Sequence, residues 1–153
     1  MIHSALYEPE IPSNTGNIIR LCANIGAKLH LIEPLGFNLD DKNLRRAGLD
    51  YHEFTVVKCY SNFEMFFLAN PNKKIWACTT KADKYYHQVR FDKDNILLFG
   101  SESRGFPKDI RNYLEETKIK LPMHCSSRSL NLSNAASVIL FEALRQLNFV
   151  GLL

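Results

Sequence analysis

The chain has 153 residues, 46% apolar and 23% charged, with a net charge of +3; this is ordinary globular composition for one domain, too mildly basic to demand a polyanionic partner. Its four cysteines, Cys22, Cys59, Cys78 and Cys125, contain no C-x-x-C pair, which argues against a zinc site or a disulfide scaffold and fits a reducing, cytoplasmic setting without metal. No apolar run approaches the roughly 18 residues of a membrane span, and the opening "MIHSALYEPEIP" lacks a basic start, so a soluble protein with no membrane contact is expected.

"IHSALY" (2–7) and "KLHLIE" (28–33) are predicted strands, with a helix over "NTGNIIRLCANIGA" (14–27) between them. Ile18, Leu21, Cys22 and Ile25 fall on one face of that helix. Ser13 or Asn14 is expected to cap it, and Gly26 to end it. A short helical piece follows around "DKNLRRAG" (41–48), then a strand "FTVVK" (54–58). Ser61 and Glu64 have capping-box spacing before a helix that Pro71 stops. "KIWACTT" (74–80) and "NILLFG" (95–100) read as strands, the second apolar enough to lie buried in a parallel sheet. "PKDIRNYLEE" (107–116) is helical with proline in its first turn, "KIKLP" (118–122) is a strand, and 134–148 form the last helix. The alternation predicts an α/β domain with a parallel sheet flanked by helices.

Three polar clusters stand at strand-to-helix junctions, where parallel sheets place their ligands. In "NTGNIIR" and its continuation, Asn17, Arg20 and Asn24 lie opposite the apolar face. From spacing alone a solvated helix face with an ordinary arginine is the better account. In "FGSESRGFP" (99–107) glycines bracket Glu102 and Arg104, which suits either a close backbone approach to a ligand or a plain turn. The glycine spacing is neither the dinucleotide fingerprint nor a P-loop. In "RSLNLSNAAS" (128–137), Ser129, Asn131, Ser133 and Asn134 can satisfy the backbone of a buried loop, one of the last two serving as helix cap.

Those three segments, in that order, resemble the three motifs of the SPOUT methyltransferases. "LYEPEIPSNTGNIIRLCANIGAKLHLIEPLGF" and "LRRAGLDYHE" are similar almost residue for residue to the small tRNA wobble-position 2′-O-methyltransferases, and the likeness runs from Leu6 to Gly151. The resemblance implies a single SPOUT domain whose C-terminal part, within about residues 75–150, is tied in a deep trefoil knot; default rules of chain topology would argue against a knot. It implies S-adenosylmethionine as cofactor, held around Cys78, Thr79, Gly100, Glu102, Gly105, Leu121, Met123, Ser129 and Leu130. Cys78 stands where relatives often carry leucine, which is harmless where only backbone touches the cofactor.

The implied reaction is methyl transfer to the ribose of the wobble nucleotide, cytidine or modified uridine, in the anticodon arm of tRNA. A sulfonium donor needs neither metal nor covalent nucleophile, only proton removal from the 2′-hydroxyl and in-line alignment. Relatives assign the base to the position of Arg20. Arginine keeps its proton under nearly all protein conditions, so stabilising a developing alkoxide is an equal alternative. Asn14, Asn131 and Asn134 are the candidates to orient it or the ribose.

Lys42, Arg45, Arg46 and His52 accompany Tyr51 as a basic set with one stackable ring; on charge alone a solvated helix face fits as well, and the resemblance of this segment to the wobble methyltransferases implies that it binds RNA. Val138 and Phe141, flanking Arg145 on the outer face of the last helix, point to a homodimer. A ribosomal-RNA methyltransferase and a catalytically silent RNA-binding module are the alternatives.

Overall fold

The computed structural model describes residues 1–40, 42, 44, 49–54 and 56–153, excepting the side chain of Tyr51. Six parallel strands are β1 (His3–Tyr7), β2 (Lys28–Ile32), β3 (Val57–Tyr60), β4 (Ile75–Cys78), β5 (Ile96–Phe99) and β6 (Lys118–Ile119). They pair in the order β3-β2-β1-β5-β4-β6. Ala5 lies beside His30 on one side and Leu98 on the other, and Leu98 beside Ala77. The helices with described bounds are α1 (Pro12–Ile25), α2 (Tyr51–Phe54), α3 (Phe63–Ala69), α4 (Lys108–Tyr113) and α5 (Leu132–Gln146).

Alternation along each strand divides the core. On one face α1 and α5 bury Ile18, Ile19, Cys22, Ile139, Leu140 and Ala143 against Leu6, Leu29, Leu31, Trp76, Leu97 and Phe99. On the other, Phe66 of α3 with Ile110 and Leu114 beside and within α4 cover Ala5, Ile32, Ile75, Ala77, Ile96 and Leu98. The chain builds outward from β1 to β3, then crosses to lay β5 on the opposite edge of β1. That reversal opens a crevice at the carboxyl ends of β1 and β5.

The expected elements are present, with shifts at their ends. α1 begins at Pro12 rather than at a Ser13 or Asn14 cap; its N-cap is Ile11, which offers no side-chain acceptor. Proline suits a first-turn position because its missing N–H would have lacked a helical partner. Gly26 ends the helix at φ +67, as expected. The cap of α3 is Asn62, whose Oδ1 accepts from Met65 N at 2.9 Å, not Ser61. β3 starts at Val57, later than expected, because Phe54 belongs to α2. There Asp50 and Glu53 exchange backbone-to-carboxylate hydrogen bonds of 2.7 and 3.1 Å that wind a turn before the strand. α4 is shorter than the predicted helix, and Glu115–Thr117 form a 3₁₀ turn leading into β6. Tyr86–Gln88 form a second 3₁₀ turn that the sequence reading did not anticipate.

A buried polar chain crosses the N-terminal half of the sheet. Lys73 Nζ lies 3.1 Å from His3 Nε2, His3 Nδ1 lies 2.8 Å from His30 Nε2, and His30 Nδ1 lies 2.9 Å from the Tyr60 hydroxyl. An ammonium can only donate, so each ring accepts at Nε2 and donates from Nδ1. Both histidines are therefore neutral. Burial first, then neighbouring cations, lowers His3 to about 4; burial, then His3 and Lys73, lowers His30 to about 3.

The unfolded chain takes up these protons near pH 6.5 and the folded chain does not. Stability from this source is thus full above about pH 6.5 and declines as pH falls toward 4. Urea midpoints measured from pH 7 to pH 4 should fall, and His30→Asn should flatten the slope between pH 6.5 and 5 relative to the parent protein; an unchanged slope would refute the assignment.

Candidate active site

Three loops meet at the crevice, and each arrives on a different element. The loop after β1 carries Glu8 to Ile11 into α1. The loop after β5 carries residues 100–107 into α4, and the loop after β6 carries residues 120–131 into α5.

Gly100 and Gly105 close the middle loop on itself. Ser101 N donates to Gly105 O at 3.1 Å and Gly105 N to Ser101 O at 2.9 Å. Gly105 has φ +64, and a Cβ on Gly100 would stand 2.6 Å from the Gly105 carbonyl carbon. The turn's own closure therefore requires both glycines, before any ligand is considered.

This turn is locked to the lead-in of α1 by carboxylates exchanged in both directions. Glu102 accepts from Glu10 N at 2.7 Å, Ile11 N at 3.1 Å and Asn14 Nδ2 at 3.4 Å. It supplies, from ninety residues away, the anion that the uncapped start of α1 lacks locally. In return Glu10 accepts from Ser103 N and Oγ at 3.2 and 2.7 Å, and those bonds hold its carboxyl below the usual range. Arg104 closes the exchange by donating to Glu8 at 3.1 Å. Glu8 sits at φ +45, a left-handed backbone kept in place by its carbonyl, which accepts from Ser101 Oγ at 2.7 Å.

The third loop joins through Asn131. Its Nδ2 donates to Asn14 Oδ1 at 2.9 Å, while its Oδ1 accepts from Ser133 N at 2.9 Å and Asn134 N at 3.3 Å. Asn131 is thus the cap of α5, in place of the predicted Ser133 or Asn134. Every donor in the chain α5–Asn131–Asn14–Glu102 points toward the Glu102 charge, an arrangement that polarises each bond in the same sense.

These loops wall a cavity of about 470 Å³. All of the predicted cofactor residues line it: Cys78, Thr79, Gly100, Glu102, Gly105, Leu121, Met123, Ser129 and Leu130, together with Asn14 and Asn131. Phe99, Ile119 and Ile139 give it an apolar wall. Burial pushes the Cys78 thiol well above the usual range, so it stays protonated and un-nucleophilic at neutral pH.

One expectation does not hold. Residues 124–131 are exposed, so the polar stretch after β6 is a surface strap at the cavity mouth rather than a buried loop. Asn134 lies outside the cavity lining, exposed in the first turn of α5 with its backbone N–H spent on the cap. Arg20 lies outside it too, exposed on α1, with Nε 3.0 Å from Glu53 Oε1. That pair joins α1 to α2, where His52 is exposed. Arg45 and Arg46 lie outside the described residues, as does the side chain of Tyr51. The sequence reading missed Lys81, Arg111 and Lys120 on the cavity wall. Arg111 looks like any helical surface arginine until the sheet order brings α4 against the crevice. Among the described residues no group of three or more His, Cys, Asp or Glu could hold a metal, and no helix is long and apolar enough to cross a membrane.

A family model described as the SpoU rRNA Methylase family matches residues 1–141. The chain is 52% identical over 152 residues to the tRNA (cytidine(34)-2'-O)-methyltransferase of Saccharophagus degradans, covering 99% of each. It is 53% identical over 152 residues to the protein of that name from Escherichia coli K12, covering 99% of this chain and 97% of the other. A solved structure concerned with the 2-OH methylation of C/U34 on tRNA superposes with a TM-score of 0.91 at 41% identity, over 97% of each chain.

Replacing Asn131 with alanine removes the cap of α5 and the tie to Asn14 together. Denaturant titration of Asn131→Ala should show a loss of about 1–2 kcal/mol, and an unchanged midpoint would show that the observed bonds contribute nothing.

Proposed function

The chain belongs to the SpoU rRNA Methylase family, and from that premise we propose that it methylates the ribose 2′-hydroxyl of the wobble nucleotide, position 34, of tRNA. The methyl donor is S-adenosylmethionine, and the accepted bases are cytidine and modified uridine. The observation that carries the site is the convergence of three motif loops on one cavity, tied by Glu102, Asn14 and Asn131. Support for the substrate comes from relatives named for this activity that match the chain nearly end to end.

The residues present fit such a donor. The cavity has the volume of a small-molecule site, with apolar walls for a base and backbone groups of three loops for the ribose and amino-acid tail. Around Cys78, Gly100, Leu121 and Leu130 the chain would hold it mainly through backbone. When bound, the donor supplies a methyl group already activated on a sulfonium. The protein's part is to align the ribose oxygen and to accommodate its proton or developing negative charge. We further infer that the loops around the cavity form the trefoil knot of this fold family and that the chain is one domain.

Asn14 and Asn131 are committed to one another and to Glu102, so in this reading they position α1 rather than touch the ribose. Arg20 remains the group for the reacting oxygen, and its place on the outer face of α1 suits the cavity of a second copy better than its own. Ile11, Leu130, Val138 and Phe141 are 43%, 47%, 43% and 47% exposed around the start of α1 and along α5. A second copy packed there would cover an apolar surface otherwise left wet. The reading is therefore a homodimer in which Arg20 serves the partner's site, with the 42–52 segment extending the RNA surface. In this reading the protein works in the cytoplasm.

Incubation with labelled S-adenosylmethionine and total tRNA, followed by mapping, should find the methyl on the ribose of nucleotide 34. Methyl on ribosomal RNA, on a base, or elsewhere in tRNA would overturn the assignment. Arg20→Ala should lower the single-turnover rate by about 100-fold or more while leaving S-adenosylhomocysteine affinity unchanged; a near-normal rate would make Arg20 a solvated residue. Sedimentation should give twice the 17.6 kDa chain mass, and Phe141→Lys should shift the protein toward monomer.

A further inference from the structure

Four cationic side chains line the cavity: Lys81, Arg104, Arg111 and Lys120. Arg104 is matched by Glu8 at 3.1 Å and Glu10 at 3.7 Å. Lys120 lies over the Tyr85 ring, 5.2 Å from its centroid, and Lys81 is exposed to water. Arg111 differs from all of these. Its Nε is buried and has no hydrogen-bond partner, and among the described residues no carboxylate stands within ion-pair distance of its guanidinium.

A guanidinium N–H hidden from water without an acceptor is an unfavourable arrangement, corrected only when an acceptor arrives. Among the described residues the cavity offers no free carboxylate, because its one acidic lining residue, Glu102, is spent on Glu10 N, Ile11 N and Asn14. An anion that enters with a ligand would supply the missing partner.

We propose that Arg111 holds the carboxylate at the amino-acid end of the cofactor. This rests on the S-adenosylmethionine reading above and names a contact within it. Nε and a terminal nitrogen of arginine match the two oxygens of a carboxylate side by side, which a lysine cannot do. α4 packs on the sheet face opposite α1 and α5, so Arg111 reaches the cavity from the side away from Asn14 and Asn131. A carboxylate on a flexible tail can enter a closed wall; a phosphodiester held between two riboses cannot. Arg111 therefore orients the donor from behind while the α1 side faces the RNA.

Calorimetry with S-adenosylhomocysteine and with its decarboxylated analogue, which keeps the amine and lacks only the carboxylate, tests this without turnover. The parent protein should prefer the carboxylate-bearing ligand by about ten- to a hundredfold, the range of a charge-assisted hydrogen bond. Arg111→Gln should erase that preference by weakening S-adenosylhomocysteine alone, and Arg111→Lys should restore part of it. If the parent binds both ligands equally, or if R111Q weakens both alike or neither, the proposal fails, whether or not the variant folds as well as the parent. A loss of tRNA affinity in R111Q with the ligand preference intact would make the acceptor a phosphate and also overturn it. A parent protein that binds no S-adenosylhomocysteine at all, with or without tRNA, would sink the cofactor reading itself, and that result is visible before any variant is made.

Discussion

The Glu102 carboxylate is the point on which the rest of the site depends. Among the described residues it is the only acidic group lining the cavity, and it is used to anchor another part of the chain. α1 starts without a side-chain cap, so its first donors would be left to water at the edge of a crevice. Glu102 accepts from the N–H of Ile11 at the N-cap and of Glu10 just before it, and so brings the loop after β5 to the start of α1. Through Asn14 and Asn131 the same charge reaches the first turn of α5. Removing any member leaves polar atoms without partners at the next, so the loops hold one arrangement together or not at all.

This coupling also decides which residues are free for chemistry. Asn14 and Asn131 have their amides occupied, and Glu10 and Arg104 are bound to Ser103 and Glu8. What remains open toward the cavity is backbone, apolar wall and the basic side chains Lys81, Arg111 and Lys120. The apolar and backbone parts of such a surface suit recognition of a neutral base and ribose by shape. The burial of Cys78 keeps its thiol protonated, which leaves no thiolate nucleophile at that wall of the cavity.

The sheet separates this machinery from a second polar system. His3, His30, Tyr60 and Lys73 line up at the far side of β1 and β2, the two histidines held in one tautomeric sense and neutral at working pH. α3 and its neighbours cover that chain, and no loop of the cavity reaches it. Its role is to satisfy polar atoms where the sheet needs them buried, with a dependence on pH as the consequence.

The sequence by itself determined the alternation of strands and helices, the apolar face of α1, the glycine ending it, and the three polar segments that line the cavity. These are local matters: hydrophobic period, a left-handed position that wants glycine, and motif residues adjacent in the chain. Resemblance, not periodicity, assigned the cofactor residues, and the structure gathers all of them at one cavity. Only the tertiary structure decided what Glu102, Asn14 and Asn131 do, because their partners lie 88 and 117 positions away and no local pattern encodes a pairing over that distance. For the same reason the caps of α1 and α5 were misplaced. Local propensity named Ser13, Asn14, Ser133 and Asn134, while proline geometry and a distant carboxylate served α1, and Asn131, already turned toward Asn14, served α5. Arg111 could not be told from a surface arginine until the crossover of β4 and β5 set α4 against the crevice and left its Nε without an acceptor.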